Sequence, residues 1–299
     1  MVYLWLPFLG FLWTVVAVIV ANARQKGVSV FHFYMLGSCL SFLIFLTVNL
    51  SLGLDDIFSP AKRQAALIFS AGALLNALGQ SLVMYNMKKG GRALAFAIPQ
   101  LAFIIPYSWS IIFLGEKFSI TGVAGLVCIA GAICFLAMKK STATADTVSS
   151  SLEFKRVLLS FAAMLLVGCG HIGMALPTQL PPENRLSVSN GAMVMVGAAT
   201  LFFLLASLLS RKNFAAEVKK SWKYSIAWSA GAALSNGVML YTLELMGRYN
   251  RAGIVFPIGC CSLIMMFTIY AALRFREKLS VSQIAAFAAI IAGILMVKI

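Results

Sequence analysis

Apolar runs of about 20 residues recur along almost the whole sequence, and they restrict the chain to very few folds. Lipid offers the backbone no hydrogen-bond partners, so a run that crosses a bilayer is expected to be a helix. Charged residues make up only 11% of the chain, against about a quarter in soluble domains, and the mean hydropathy is +0.92. The sequence therefore predicts an all-α, multi-pass membrane protein.

Ten of these runs are long enough to be read as transmembrane helices. They are Tyr3–Asn22, Phe31–Leu52, Gln64–Met87, Arg92–Leu114, Phe118–Met138, Val157–Leu176, Ser187–Ser210, Tyr224–Gly247, Arg251–Leu273 and Ser280–Lys298. Residues 139–156 are polar and rich in Ser and Thr, which is typical of a linker. We therefore expect a five-helix unit at residues 1–138 and another at residues 157–299.

The second half of the sequence repeats motifs of the first half in the same order, which indicates an internal duplication. The matching segments are Ser70-Ala71-Gly72-Ala73 with Ser229-Ala230-Gly231-Ala232, Arg92 and Pro99 with Arg251 and Pro257, and Glu116-Lys117-Phe118-Ser119 with Glu277-Lys278-Leu279-Ser280. Each match is weak alone, and their common order carries the argument. Glu116 and Glu277 are expected to form matching structural corners.

The basic residues are divided unequally between alternate connections. The connections after the odd-numbered runs hold 17 of the 24 Lys and Arg residues, and the other set holds 7. The positive-inside rule places the basic set in the cytoplasm and both termini outside. Because each unit has an odd number of spans, the second unit is inverted relative to the first, which is typical of alternating-access carriers with a site near the midplane. The net charge of +15 is thus assigned to orientation and lipid contact, not to nucleic acid.

These features resemble the drug/metabolite transporter superfamily in its ten-helix EamA-like form. The resemblance rests on the duplication, the length of 299 residues, and Leu114-Gly115-Glu116-Lys117 before a Gly/Ala-rich fifth run. A basic first loop, Arg24-Gln25-Lys26, is loosely similar to that of the rhamnose–proton symporters and related sugar permeases. The resemblance implies a central cavity formed by both halves, supported at the side by the fifth and tenth helices. Many EamA-like members have termini in the cytoplasm, whereas the loop charges here predict the reverse.

Polar residues within the apolar runs are the candidate substrate ligands, because polar groups in lipid usually face a cavity. Asn76 and Gln80 lie on one face of the third run, and Asn236 lies in the eighth, the repeat partner of the third. Gln100 follows Pro99, and Pro99 and Pro257 can break their helices at matching positions and act as hinges. The alternative for the amides is hydrogen bonding between helices, and the prolines can be tolerated without a role.

Aromatic and imidazole groups complete the candidate site. Trp13 and Tyr241 can stack on a substrate ring, although aromatic residues in a helix bundle commonly serve packing. His171, in the sixth run, can carry a coupling proton or form a structural hydrogen bond. The cysteines all lie in apolar runs as small packing residues, and no spacing indicates a metal site or another cofactor.

No acidic or basic residue lies near the centre of a predicted span, and this restricts the classes of substrate that we expect. A buried carboxylate for exchange of a cationic drug against protons is missing, and so is a cation for a phosphate-bearing substrate. We therefore expect a secondary transporter for a neutral or zwitterionic metabolite such as a sugar or an amino acid. An exporter of drugs or other metabolites, a membrane-embedded enzyme and a channel or scaffold are the alternatives. The expected setting is a bacterial inner membrane, with the chain as a monomer or homodimer in the lipid bilayer.

Overall fold

The computed structural model describes residues 2–54, 57, 59–88, 98–116, 119–141, 150–210, 212–275 and 281–298. About 90% of these residues are helical and none of them lies in a strand. Six of the described helices are long and apolar enough to cross a membrane, and three shorter apolar helices accompany them. The chain is thus an all-α protein with the helices of an integral, multi-pass membrane protein.

Each long helix overlaps one of the ten predicted runs. The helices are α1 Trp5–Gln25, α2 Val30–Leu52, α3 Arg63–Lys88, α4 Ile98–Phe113, α5 Ile120–Ser141, α6 Ser150–Ala175, α7 Val188–Leu208, α8 Phe214–Gly247, α9 Val255–Phe275 and α10 Val281–Lys298. A 3-10 turn at Leu101–Phe103 lies inside α4, and another at Ala252–Ile254 leads into α9. Arg92, Glu277 and residues 142–149 of the predicted linker lie outside the described residues.

Two helices begin well before the apolar runs that predicted them. Helix α6 starts at Ser150, inside the predicted linker, and α8 starts at Phe214 instead of Tyr224. Hydropathy marks only the part of a helix that lies in lipid, whereas a helix can continue into water with polar side chains. The Asn213 side chain accepts a hydrogen bond from Ala216 N at 3.1 Å and so caps the start of α8.

Glycine residues let α3 and α6 approach until their backbones touch. A Cβ atom added at Gly72 would lie 2.8 Å from Gly173 Cα and 2.9 Å from Gly170 O. One added at Gly79 would lie 2.7 Å from a methyl group of Val167. Small residues at such spacings are the usual means of close packing between membrane helices. Helices α5 and α10 cross in the same way through Gly125 and Gly293.

Hydroxyl groups join α8 to α2. Ser225 Oγ donates a hydrogen bond to Phe33 O at 3.1 Å, and Ser41 Oγ donates to Ser229 O at 3.0 Å. These buried bonds between helices satisfy polar groups that lipid would leave unpaired. Helix α8 is not among the six helices that are apolar enough to count as spans, because it carries several serine residues. Its buried polar residues face neighbouring helices and not lipid.

The helices form two similar groups, and each group mixes helices from both halves of the sequence. Helix α3 packs against α6 and α7, and α4 packs against α6; we call these four helices body one. Helix α8 packs against α1 and α2, and α9 packs against α1; we call these four helices body two. The two bodies are joined by the contacts of α7 with α2 and α8, and α9 with the turn before it also contacts α4.

Contacts between connections divide them between two ends of the bundle. At one end, which we call the basic end, Lys220 Nζ donates a hydrogen bond to Gly27 O at 2.9 Å, joining the connection after α1 to the start of α8. At the other end, which we call the terminal end, Arg251 Nη1 donates to the hydroxyl of Tyr3, and Asn250 Nδ2 donates to Gly115 O. Connections that follow odd-numbered and even-numbered helices therefore lie at opposite ends.

Candidate functional site

Irregular backbone accompanies both predicted hinge prolines. The 3-10 turn Leu101–Phe103 follows Pro99 in α4, and the 3-10 turn Ala252–Ile254 comes just before Pro257 in α9. Both prolines are buried. Proline lacks the N–H group that would complete the helical ladder, and 3-10 turns within a helix often mark functional hinges. The start of α9 around Pro257 is the point on which several predicted site residues converge.

Trp13 lies against this part of α9 from the side of α1. A Cβ atom added at Gly259 would lie 2.7 Å from Trp13 Cζ3, so only glycine leaves room for the indole ring. Thr14 Oγ1 donates to Gly10 O at 2.8 Å and lies 3.4 Å from Leu263 O on α9. The Trp13 ring is half-buried and held between two packed helices.

His171 lies against the same part of α9 from the side of α6. Its ring stacks on the ring of Phe256, with 4.4 Å between the ring centroids and 15° between the planes. Its Nδ1 atom is buried and has no hydrogen-bond partner among the described residues. An unpaired buried polar atom is costly and calls for an explanation, such as a water molecule or a ligand in another state.

Asn76 lies beside His171 at the interface of α3 and α6. A Cβ atom added at Gly170, the residue before His171, would lie 2.8 Å from Asn76 N and 2.9 Å from Asn76 Cβ. The Asn76 Oδ1 atom is also buried without a partner in the described part of the chain. The structure therefore places Trp13 and His171 against the start of α9, and Asn76 against α6 at the residue before His171; His171 and Asn76 each have a buried polar atom without a partner among the described residues.

The other predicted residues are placed differently. Tyr241 is 45% exposed and packs edge-to-face on Trp5, with 5.4 Å between the ring centroids. Asn236, Gln80 and Gln100 are half-buried, and their side chains have no hydrogen bond to any described residue. Trp5 is itself 38% exposed, so this aromatic pair lies on the outer face of α1 and α8 near the terminal end. The structure does not group Tyr241 with the residues around Pro257.

Burial along α1 and α9 shows which end of this region is closed. In α9 and the turn before it, residues 252–261 are all buried, whereas residues 263–268 are only half-buried. In α1, Leu6, Leu9 and Leu12 are buried, whereas residues 16–21 are half-buried. The region around Pro257 is thus sealed towards the terminal end and packed more loosely towards the basic end.

Phe256 is a residue that the sequence analysis did not select. It is completely buried, and its ring carries the stacked His171. Its sequence signal is weak, because an apolar residue before a proline is unremarkable in an apolar run. Among the described residues, no group of three or more His, Cys, Asp or Glu side chains is arranged to hold a metal ion.

Comparison with known proteins supports the fold without naming an activity. No family model matches the sequence, and no curated protein matches it. A solved crystal structure of another protein aligns with all of this chain and with 98% of its own chain, with a TM-score of 0.74 and 16% sequence identity. At this identity the similarity establishes a shared fold and nothing about substrate or mechanism.

Proposed function

We propose that the chain is a secondary transporter that moves a small neutral or zwitterionic polar metabolite by alternating access. It belongs, on this proposal, with the drug/metabolite transporters of the EamA-like form, and its ten helices form two inverted five-helix repeats. The observation that carries the proposal is the packing of the helices into two equivalent bodies that meet around broken helices. Such an arrangement provides a central site and a way to expose it at either end.

The helix contacts support the repeat directly. We compare each helix with the helix that lies five helices away in chain order, and most of the larger helix pairs map onto another pair. The pair α3–α6 maps onto α8–α1, α6–α4 onto α1–α9, and α3–α7 onto α8–α2, while α2–α7 and α5–α10 map onto themselves; the pair α7–α8 does not follow this pattern. This correspondence is what an internal duplication would produce.

Individual glycine contacts repeat at the same positions. A Cβ atom added at Gly10 of α1 would lie 2.9 Å from Gly259 O on α9. A Cβ atom added at Gly168 of α6 would lie 3.0 Å from Ala102 O on α4. In each case the side chain three residues further along the partner helix is also in contact. Because α1 and α6 begin at opposite ends of the bundle, the two copies of this contact have opposite directions in the membrane.

The bodies that move against each other are then not the two halves of the sequence. Body one combines α3 and α4 of the first half with α6 and α7 of the second, and body two has the reverse composition. The glycine contacts between α3 and α6 leave no room for relative movement within body one. Movement is therefore expected between the bodies, with α2 and α7 as the axis and Pro99 and Pro257 as hinges.

The chemistry around Pro257 favours a neutral or zwitterionic substrate. The imidazole of His171 and the aromatic ring of Trp13 lie there, the amide of Asn76 lies beside the residue before His171, and none of these groups carries a fixed charge. Unpaired amide and imidazole atoms can bond to the hydroxyl groups of a sugar or to the charged ends of an amino acid. Asn236, Gln80 and Gln100 are further candidate ligands, each half-buried and without a partner among the described residues.

A counterflow screen in liposomes tests this function. Liposomes that contain the purified protein are loaded with unlabelled sugars or amino acids from a panel, and the uptake of a trace of labelled substrate from outside is measured. We expect a saturable signal with at least one panel, lost in Asn76→Ala and Asn236→Ala and kept in Asn22→Ala, a matched change at an exposed amide. An ohmic conductance without counterflow would favour a channel and would contradict the proposal.

A topology measurement tests the inverted repeat separately. Tags are inserted at Gly27, after α1, and at Glu183, after α6, which are equivalent connections of the two halves. We expect the tag at Gly27 on the cytoplasmic face and the tag at Glu183 on the outer face. Tags on the same face would rule out the inverted arrangement.

A further inference from the structure

The two bodies come together at the terminal end through the corner at the end of α4. Gly115 ends this helix with a φ of +65°, a conformation that glycine adopts without strain. The turn brings the Glu116 side chain to the start of α9, which belongs to body two, while it stays in contact with Ser110 of its own helix. Asn250 fixes the same turn from body two, since its Nδ2 atom donates a hydrogen bond to Gly115 O at 3.1 Å.

Glu116 closes this contact with its carboxylate. Gly253 N donates to both carboxylate oxygens, at 2.9 Å and 3.2 Å, and so the side chain caps the first turn before α9. Ser110 Oγ lies 3.1 Å from Oε2 on the other side. The carboxylate is only 8% exposed, although it lies beyond the apolar part of α4. A buried carboxylate that accepts a backbone bond from a different body is a specific link and not a surface ion pair.

A small crevice lies beside this link between α4, α6 and α9, lined by residues that include Trp109, Ile172 and Phe256. Body one and body two also meet at this end through the stacked rings of His171 and Phe256, and Gln179, just after α6, donates a hydrogen bond to Leu243 O of α8 at 3.2 Å. The link therefore lies directly between the terminal end and the candidate site.

We propose that Glu116 and Gly253 form a latch that keeps the terminal end closed, and that the latch must separate for the candidate site to open at that end. The latch rests on the proposed transport function, because only an alternating-access protein needs to break this contact in its working cycle. Helix α4 is packed on α6 in body one and helix α9 on α1 in body two. Any separation of the bodies at this end therefore pulls Gly253 N from the carboxylate.

A reversible crosslink tests whether the latch must open. A Cβ atom added at Gly253 would lie 3.0 Å from Ser110 Cβ, close to the range of about 3.5–4.5 Å found in disulfides. We expect the double variant Ser110→Cys, Gly253→Cys to lose counterflow on oxidation and to regain it with reductant. The two single variants show the background effect of oxidation on the native cysteines.

The outcomes separate the latch from the transport function. Counterflow that persists after complete crosslinking would overturn the latch and leave the transporter intact. Counterflow missing from the unmodified protein would contradict the proposed function instead. Failure of the two cysteines to pair under oxidation would mean that this contact is not held in the resting protein, and would also overturn the latch.

Variants of Glu116 provide a second test that does not need a substrate. Hydrogen–deuterium exchange at residues 250–257 and at residues around His171 is measured in the full chain. We expect Glu116→Ala to increase exchange in both segments, because the bodies separate more often, and Glu116→Gln to retain most of the protection through its carbonyl oxygen. The matched control is Ser187→Ala, which removes a cap at the same end that lies wholly within body one. Increased exchange confined to residues 250–257 would indicate a local cap and would overturn the latch.

Discussion

Replacing Gly72 by alanine should destabilise the protein, whereas the same change at Gly131 should not. Both glycines lie inside helices, so both variants gain about 1 kcal/mol of helix propensity. At Gly72 the new methyl group would lie 2.7 Å and 2.8 Å from backbone atoms of Gly173 and 2.9 Å from Gly170 O. At Gly131 none of the described residues comes within 4 Å of the new group. The comparison therefore isolates the cost of the close contact between α3 and α6.

The structure gives a magnitude for this cost. Overpacking by one methyl group costs about 1–3 kcal/mol, and the upper part of this range applies because the opposing atoms are backbone and cannot rotate away. With the gain in propensity, Gly72→Ala should lose about 1–2 kcal/mol while Gly131→Ala gains up to about 1 kcal/mol. The thermal midpoints of the two variants should then differ by about 4–6 °C.

The assay is thermal unfolding of the purified variants in the same detergent, with each midpoint compared with that of the unmodified protein. Gly173→Ala provides an independent test from the opposite helix, because its Cβ atom would lie 2.6 Å from Gly72 Cα. We expect it to lower the midpoint as Gly72→Ala does. Equal shifts for Gly72→Ala and Gly131→Ala would refute the close approach of α3 and α6, and with it the rigidity of body one.

Three further predictions use hydrogen bonds and charge. Asn76→Ala should change stability by less than about 1 kcal/mol, because Asn76 Oδ1 has no partner among the described residues. Asn86→Ala should cost about 1–3 kcal/mol, because it loses the bonds to Arg156 O and Ser160 Oγ, and thermal midpoints test both variants. Burial raises the pKa of Glu116, and its hydrogen bonds offset only part of this rise. The closed terminal end should therefore be favoured at low pH and lose this advantage as the pH rises through the raised pKa. Hydrogen exchange at residues 250–257, corrected for intrinsic rates, should show this pH dependence in the unmodified protein and not in Glu116→Gln. Burial tends to raise the pKa of Glu217, but the hydrogen bond from Ser29 N and the charge of Lys212 outweigh this effect and hold the pKa below its ordinary value. The stability that Glu217 contributes should therefore be present at neutral pH and disappear as the pH falls through the lowered pKa. The melting temperature of Glu217→Gln should depend less on pH, on the acidic side, than that of the unmodified protein.

Features set by neighbouring residues in the sequence could be predicted, and features set by distant partners could not. Glu244 and Arg248 are four residues apart in the sequence, a spacing at which opposite charges meet on a helix, and the structure places Arg248 Nη2 2.8 Å from Glu244 Oε1. The helices themselves follow from apolar runs in the same way. The extension of α8 back to Phe214 has no hydropathy signal, because its polar side chains are stable in water without any need for an apolar run.

The candidate site shows the same limit more clearly. The sequence selects Asn76, His171 and Trp13 one by one because each is unusual inside an apolar run. The positions of Asn76 and Trp13 in the bundle depend on their contacts with Gly170 and Gly259. The sequence does not indicate which side chain a glycine will accommodate. Tyr241 has the same residue-level signal as Trp13 and yet lies exposed beside Trp5.

The close packing of helices from different halves of the sequence bears on how the proposed repeats would fold. The glycine face of α3 is covered by α6, and Gly10 of α1 is covered by α9, so each half places its closest contacts on the other half. A five-helix half alone would expose these faces, and the polar backbone atoms beside the glycines would lose their neighbours. The corner at Glu116 depends on the same packing, since it links α4 to the helix that α1 holds in place. We therefore expect that the two halves of the sequence do not fold as independent domains that later dock, and that the unit that moves in the proposed cycle exists only once both halves are present.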